Sequence, residues 1–454
     1  MRANDLQALY EAKCRDLVIN PTKDQERRFF GFCRRTIADR KILMREQALG
    51  PHSAHVIGRI LARAPGHFSH LDVSRNNLGN AGLATLLAKG IRMSCSLVHL
   101  DLGSNDITCE GAAHLFHSLE THPSLASLVI ANHDRLHRNR LSEKSCQALG
   151  TLLERNQVLT MLNIADNSIS NEGLRLISQG YARAPSKELV SLNLSHNDIE
   201  GVPAVESLAS FLESSSALQM LNLNENRIGN EGIELLAKAF NEGKSRLTKL
   251  YLANVGGTAA GFKTLFMALK SNQHLVFLNL DGNDFKSPPR YTRETLLKMQ
   301  NYYNYEAPTF TNPNLDQLSI FLWNNKRLET LELRHCSLDD QGSEALADGL
   351  ARNSTLLNLD LSSNKITSES MARWEEIVGK CPLRQLDLSN NPLEDAGAIC
   401  LLKGLLEGPL RTKAEERRKP AKAGTRRTPK LRQLVLRNVG MGDAAGLVLT
   451  QLVS

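Results

Sequence analysis

The chain has 454 residues, of which 41% are hydrophobic and only 5% aromatic, and a formal net charge of +7. No stretch approaches the length of apolar sequence that a membrane span needs, and the charged, amphipathic start MRANDLQALYEAKCRD does not read as a signal peptide. Cysteines at 14, 33, 95, 109, 146, 336, 381 and 400 form no C-x-x-C pair, which argues against a disulfide framework or a zinc site and for reduced, mostly buried thiols.

In chain order, residues 4–17 and 23–48 read as helices, with Asp24 placed to cap the second after Pro21. Gly50-Pro51 ends that helix, and His52–Arg63 continues as a third. Residues 1–66 are thus expected to form an N-terminal helical cap over the apolar end of the downstream chain.

From there a segment of the form L-x-x-L-x-L-x-x-N-x-L/I recurs. Its fourth residue falls at Leu71, Leu100, Leu128, Leu162, Leu192, Leu221, Leu250, Leu278, Leu331, Leu359, Leu386 and Leu434. Eight of the eleven spacings lie between 27 and 30 residues, and the other three are one period plus an insertion. In LQMLNLNENRI, Leu218, Leu221 and Leu223 point inward from a short strand while Met220, Asn222 and Asn224 face the other way. After it, Ile233, Leu236, Ala237 and Phe240 share one helical face, as do Ala112, Leu115, Phe116 and Leu119, and Ser343, Leu346, Ala347 and Leu350. Strand and helix bury each other, coil after coil.

The asparagine of the motif recurs at 76, 105, 139, 167, 197, 226, 283, 364 and 391, where its amide is expected to serve the backbone of neighbouring turns. Cys336 takes the slot once; Val255 and Val439 break it, which predicts looser coils there. Insertions interrupt the period at 132–138, 287–313 and 408–430, so the reading is an array of about 12 repeats over 67–454. The last insertion holds nine Lys/Arg against two Glu and is expected to be flexible; residues 1–66 carry thirteen basic and seven acidic groups, which leaves the repeats mildly acidic.

With this period and a G-x-x-x-L-A/F helix, the repeats resemble the ribonuclease-inhibitor subclass of leucine-rich repeats, from about Phe68 to Ser454. The resemblance implies an α/β solenoid, a horseshoe with parallel strands on the concave side and helices on the convex side. Its relatives include ribonuclease inhibitors, the sensor ends of NOD-like receptors, Ran GTPase-activating proteins, and ciliary or centrosomal leucine-rich-repeat proteins. No nucleotide-binding stretch precedes the array, cysteine is sparse for a ribonuclease inhibitor, and the chain carries a basic insertion whereas the Ran activators end in an acidic tail. The helical leader resembles that of ciliary and centrosomal members.

Residues flanking the second leucine of each motif face the concave side, where Asp, Asn and Ser are the default. Met161, Met220, Tyr251 and Phe277 depart from it as a partly apolar strip, and Lys249, Arg334 and Arg437 add charge. Tyr302, Tyr303 and Tyr305 offer contact rings in the second insertion, and Arg417, Arg418, Lys419, Arg426 and Arg427 offer an acidic partner a basic surface in the third. The final repeat ends within its own helix, so either a partner chain, the favoured expectation, or the helix folding back is expected to cover it. His114 and His117 fall on the outward helix face, His133 and His137 in the first insertion, with no metal-ligand spacing. No G-x-S-x-G, H-E-x-x-H or P-loop occurs, and the basic insertion lacks the interleaved aromatics of a nucleic-acid site. The expectation is a non-catalytic protein-binding scaffold without cofactor or metal, cytoplasmic and set in a cytoskeletal or ciliary (axonemal, centrosomal or basal-body) assembly. A GTPase activator and an innate-sensing or inhibitor-type binding module are the alternatives.

Overall fold

The computed structural model describes residues 3–132, 136–241, 245–287, 313–416 and 431–445. In it each of the twelve motif leucines is the middle residue of a three-residue strand. The chain divides into two units, Met1–Arg227 with Lys244–Leu247, and Ile228–Gly243 with Thr248–Ser454. Both are built from repeating α/β coils, with a parallel sheet and flanking helices.

The first unit holds β1 (Lys41–Leu43), β2 (His70–Asp72), β3 (His99–Asp101), β4 (Ser127–Val129), β5 (Met161–Asn163), β6 (Ser191–Asn193) and β7 (Met220–Asn222). Consecutive strands pair in parallel with leucine opposite leucine, from Leu71 against Leu100 to Leu192 against Leu221. The second unit repeats this with β8 (Lys249–Tyr251), β9 (Phe277–Asn279), β10 (Thr330–Glu332), β11 (Asn358–Asp360), β12 (Gln385–Asp387) and β13 (Gln433–Val435). Register is fixed because a slip of one residue would turn every leucine to solvent.

Three helices open the chain, α1 (Ala3–Leu17), α2 (Lys23–Thr36) and α3 (Pro51–Arg63). The expected helix over 23–48 is cut short, and its cap is Thr22, whose Oγ1 accepts the Gln25 N–H, while Asp24 pairs with Arg28. Asp39 and Arg40 take left-handed backbone (φ 49° and 65°), and Lys41–Leu43 then forms β1 beside β2. The sequence KILM explains this, since Ile42 and Met44 are buried while Lys41 and Leu43 are exposed, an alternation of period two. Asp16 of α1 caps α3, accepting the N–H groups of Gly50, His52 and Ser53 at 2.8–2.9 Å.

The asparagines behave as a ladder. Asn105 Nδ2 donates to Leu102 O in its own coil (3.1 Å) and to Val73 O in the one before (3.0 Å), and Asn139 Oδ1 accepts from Asn105 N (3.0 Å) and Ile107 N (2.9 Å). Where Cys336 fills the slot, its thiol reaches Leu280 O and Arg334 O at 3.3 Å. The coil holding Val255 is regular, contrary to the expected loosening: the Val255 and Gly257 N–H groups still reach Asn283 Oδ1 (3.2 and 3.1 Å), and helix Ala259–Leu269 follows. Val439 is buried as well, with β13 in register. The residue before the slot is left-handed in many coils without being glycine, as at Ser104, His196, Glu225 and His335 (φ 50–58°). That conformation costs on the order of 1 kcal/mol per residue, so the ladder bonds beside it must hold it.

Behind the sheet the helices keep the expected phase. Ala112, Leu115, Phe116 and Leu119 are buried and His114 and His117 are exposed. Ser343, polar on an inward face, accepts the indole N–H of the fully buried Trp374 at 2.9 Å. Helices Glu143–Arg155 and Asn171–Arg183 pack backbone to backbone, because a Cβ on Gly180 would lie 2.2 Å from Gly150 O.

No disulfide joins any of the eight cysteines, all of which lie among the described residues, and five are buried. The third insertion differs in part from the flexible stretch expected, since helix Glu394–Glu416 carries through its first nine residues; 417–430 lie outside the described residues.

Candidate protein-binding face

Side chains at the first and third strand positions stand on the sheet face opposite the leucines. At the third position the recurring Asp or Asn accepts the N–H two residues on. Asp72 takes Ser74, Asp101 takes Gly103, Asn193 takes Ser195, and Asn222 takes Asn224 in the first unit, at 2.9–3.0 Å. Asn279, Asp360 and Asp387 do the same for Asp281, Ser362 and Ser389 at 2.8–3.0 Å in the second. These are Asx turns, and the residue type is explained by the backbone it serves.

The second unit departs from the pattern in one place. Tyr251 of β8 and Phe277 of β9 lie side by side, ring centroids 4.8 Å apart with planes at 38°, each half-buried on the open face. Burial pushes the Tyr251 hydroxyl above its ordinary pKa, and the nearby Glu332 charge adds to it. Glu332 stands where neighbouring coils carry Asp or Asn, and the N–H it would serve, on Arg334, is taken by Asp281 Oδ1 at 2.7 Å. The Arg334 guanidinium meets Asp281 Oδ2 (2.7 Å), Glu332 Oε2 (3.4 Å) and Asp360 Oδ2 (3.7 Å). Burial raises the pKa of Glu332, with the charges of Asp281 and Asp360 acting the same way against Arg334 and Asn279. Lys249 is exposed on β8 at the edge of this group.

The remaining expected residues are dispersed. In the first unit Met161 is 43% exposed and Met220 half-buried, but Ser191 of β6 pairs between them, so they form no continuous strip. Arg437 is exposed after β13, with β11 and β12 between its strand and that of Arg334. Tyr302, Tyr303, Tyr305, Arg417, Arg418, Lys419, Arg426 and Arg427 lie outside the described residues, as does the helix end of the final repeat.

Sequence reasoning misses two groups. The carboxylates around Arg334 are signalled by Glu332 in a slot of shorter acids and amides. A second group comes from the tripeptide HLD at 70–72 and again at 99–101, which sets His70 against His99 with ring centroids 5.6 Å apart. Burial holds both imidazoles below their ordinary pKa. Beside them burial pushes Asp101 up to about 6 against the Gly103 N–H bond, and the charge of Asp72 adds to the rise.

The first insertion is stitched to the ladder. Asn132 Oδ1 accepts Asn139 N–H at 2.7 Å, leaving Asn167 Oδ1 buried without a partner. His137 contacts Asp106 at 2.8 Å and Arg138 contacts Asp166. Among the described residues no group of three His, Cys, Asp or Glu is placed to hold a metal, and no helix is long and apolar enough to cross a membrane.

The profile described as Leucine Rich repeat matches residues 67–87, 94–116, 155–178, 187–202, 215–237, 324–347, 352–372 and 379–402. The ribonuclease inhibitor of Sus scrofa is 27% identical over 378 residues, covering 76% of this chain and 82% of that protein. The NACHT, LRR and PYD domains-containing protein 14 of Mus musculus is 27% identical over 325 residues, which is 68% of this chain but only 31% of that protein's length. Among solved structures, an internalin from Listeria monocytogenes str. 4b F2365 aligns over 88% of this chain and 93% of that chain at 15% identity, with a TM-score of 0.42. The chain is therefore a repeating α/β solenoid that carries leucine-rich repeats and is similar to ribonuclease inhibitors and to the repeat region of NACHT, LRR and PYD domains-containing proteins.

Proposed function

We propose that the chain is a protein-binding module of the inhibitor or sensor kind, and that the open sheet face of its second unit grips the partner. The observation that carries this is the Tyr251–Phe277 pair, two aromatic rings in contact on adjacent strands, with Tyr251 in the slot where most coils place the Asp or Asn of an Asx turn. Half-buried aromatic groups beside ion pairs are the usual anchors of protein contacts. The match to the pig ribonuclease inhibitor over most of its length supports an inhibitor-type module, and the match to the NACHT, LRR and PYD domains-containing protein supports a sensor-type one. These relatives lend nothing to the cytoskeletal or ciliary assembly expected from the helical leader, nor to a GTPase activator. Met161, Met220, Lys249 and Arg437 and the two insertion sequences at 287–313 and 408–430 serve in this reading as secondary contacts. The test is in-cell crosslinking of the wild type against a Tyr251→Ala/Phe277→Ala variant. A partner retained equally by both would refute the assignment of the face.

A further inference from the structure

The first unit carries a half-open cavity of about 350 Å³ between α1 and α2, at the small end of the roughly 300–1,000 Å³ range of ligand pockets. Its floor is aromatic and fixed. Tyr10 is buried, donates its hydroxyl to Thr22 O at 3.0 Å, accepts Thr22 N–H at 3.0 Å, and packs against Phe29 with ring centroids 5.8 Å apart. Phe32 completes the wall, and Leu17 and Ile19 form a rim that leaves each about 40% exposed (40% and 43%).

Into this apolar space comes one ammonium group. Lys13 Nζ lies 5.1 Å from the Phe29 ring centroid, and burial lowers its pKa, the direction expected of a cation short of water. No Asp or Glu lines the cavity. Arg28, the other lining cation, is already paired with Asp24 at 2.9 Å. Among the described residues Lys13 has no carboxylate partner. A half-desolvated cation on an apolar floor is costly as it stands, and an anion with an apolar body removes that cost while covering the rings.

We propose that this cavity binds an apolar carboxylate such as a medium-chain fatty acid, its chain against Tyr10, Phe29 and Phe32 and its head group on Lys13. One unpaired ammonium group in a mainly apolar, aromatic lining, whose uncharged polar members are Gln25 and Gln47, matches a monoanion with a tail better than a polar or multiply charged ligand. This site is independent of the sheet face of the second unit.

Calorimetric titration of the full chain with decanoate, decanol and decylammonium tests it. One equivalent of decanoate is expected to bind, with decanol and decylammonium at least tenfold weaker. Lys13→Met should weaken decanoate by roughly tenfold or more, the effect of losing a charge-assisted hydrogen bond, and leave decanol unchanged. Lys13→Arg, which keeps the charge, should restore most of the affinity. Absence of saturable decanoate binding, several equivalents per chain, decylammonium binding as tightly as decanoate, or equal affinity in a folded Lys13→Met protein would each overturn the proposal.

Discussion

Arg334 donates from Nη2 to Asp281 Oδ2 at 2.7 Å, tying together loops that are 53 residues apart in sequence and adjacent in the second unit. The same guanidinium faces Glu332 and Asp360, so one cation offsets three carboxylates. Arg334→Met should therefore raise the Glu332 pKa further. The stability loss at pH 7 should be about 1 kcal/mol, kept small because the arginine is 44% exposed and solvent screens it. Glu332 penalises the fold only while ionised, so the loss should shrink from pH 7 to pH 5. Urea denaturation at both values checks the sign, and a loss that grows on acidification would contradict it.

Replacing Tyr251 and Phe277 together by alanine should weaken partner binding by tenfold or more, as loss of a central aromatic anchor does. Because both rings are only half-buried, the melting temperature should fall less than for a core leucine. Affinity measured on the purified partner, beside a melting curve, separates the two effects.

Leu221→Ala or Leu278→Ala removes a side chain with 0% exposure from the strand spine and should cost roughly 2–5 kcal/mol. Unfolding should then spread to adjoining coils, since each is held mainly by its neighbours. Equal losses from Asp101→Ala would mean that the inward and outward faces are wrongly assigned.

Asn283→Ala strips the acceptor from Val255 and Gly257 N–H and the donor from Leu252 O and Leu280 O, all on buried backbone. A loss of roughly 2–5 kcal/mol is expected from groups left without partners. Hydrogen exchange should quicken first at Val255 and Gly257; unchanged protection there would show that the ladder carries no strain.

Asp101 supplies a pH signature. Its folded pKa of about 6 lies above its unfolded value, so its ionised form destabilises the fold above pH 6 and the penalty fades as the pH falls towards 4. Asp101→Asn keeps an acceptor for Gly103 and removes the charge. It should stabilise the chain by roughly 1–3 kcal/mol at pH 7, with the gain vanishing near pH 4. His70 and His99, both with lowered pKa, work in the opposite sense and lose stability as they charge, in variant and wild type alike. The difference between the two proteins at each pH isolates the aspartate; a gain that increases on acidification would refute it.

The sequence by itself determined the repeat, the strand leucines, the ladder slots and the outward helix positions, because each rests on a period that one coil dictates to the next. It also located Tyr251 and Phe277 as departures from that period. Where a residue's meaning depends on a single local choice, periodicity misleads, as with KILM, which extends a helical pattern yet forms a strand once β2 lies beside it. Tertiary structure alone decided that Tyr251 and Phe277 touch while Met161 and Met220 stand apart, and that three carboxylates converge on Arg334. It also decided that Lys13 enters an apolar cavity lined by no carboxylate. Periodicity fixes which way a side chain points, but contacts between coils depend on how side chains of unlike length meet across strands, and no repeat encodes that.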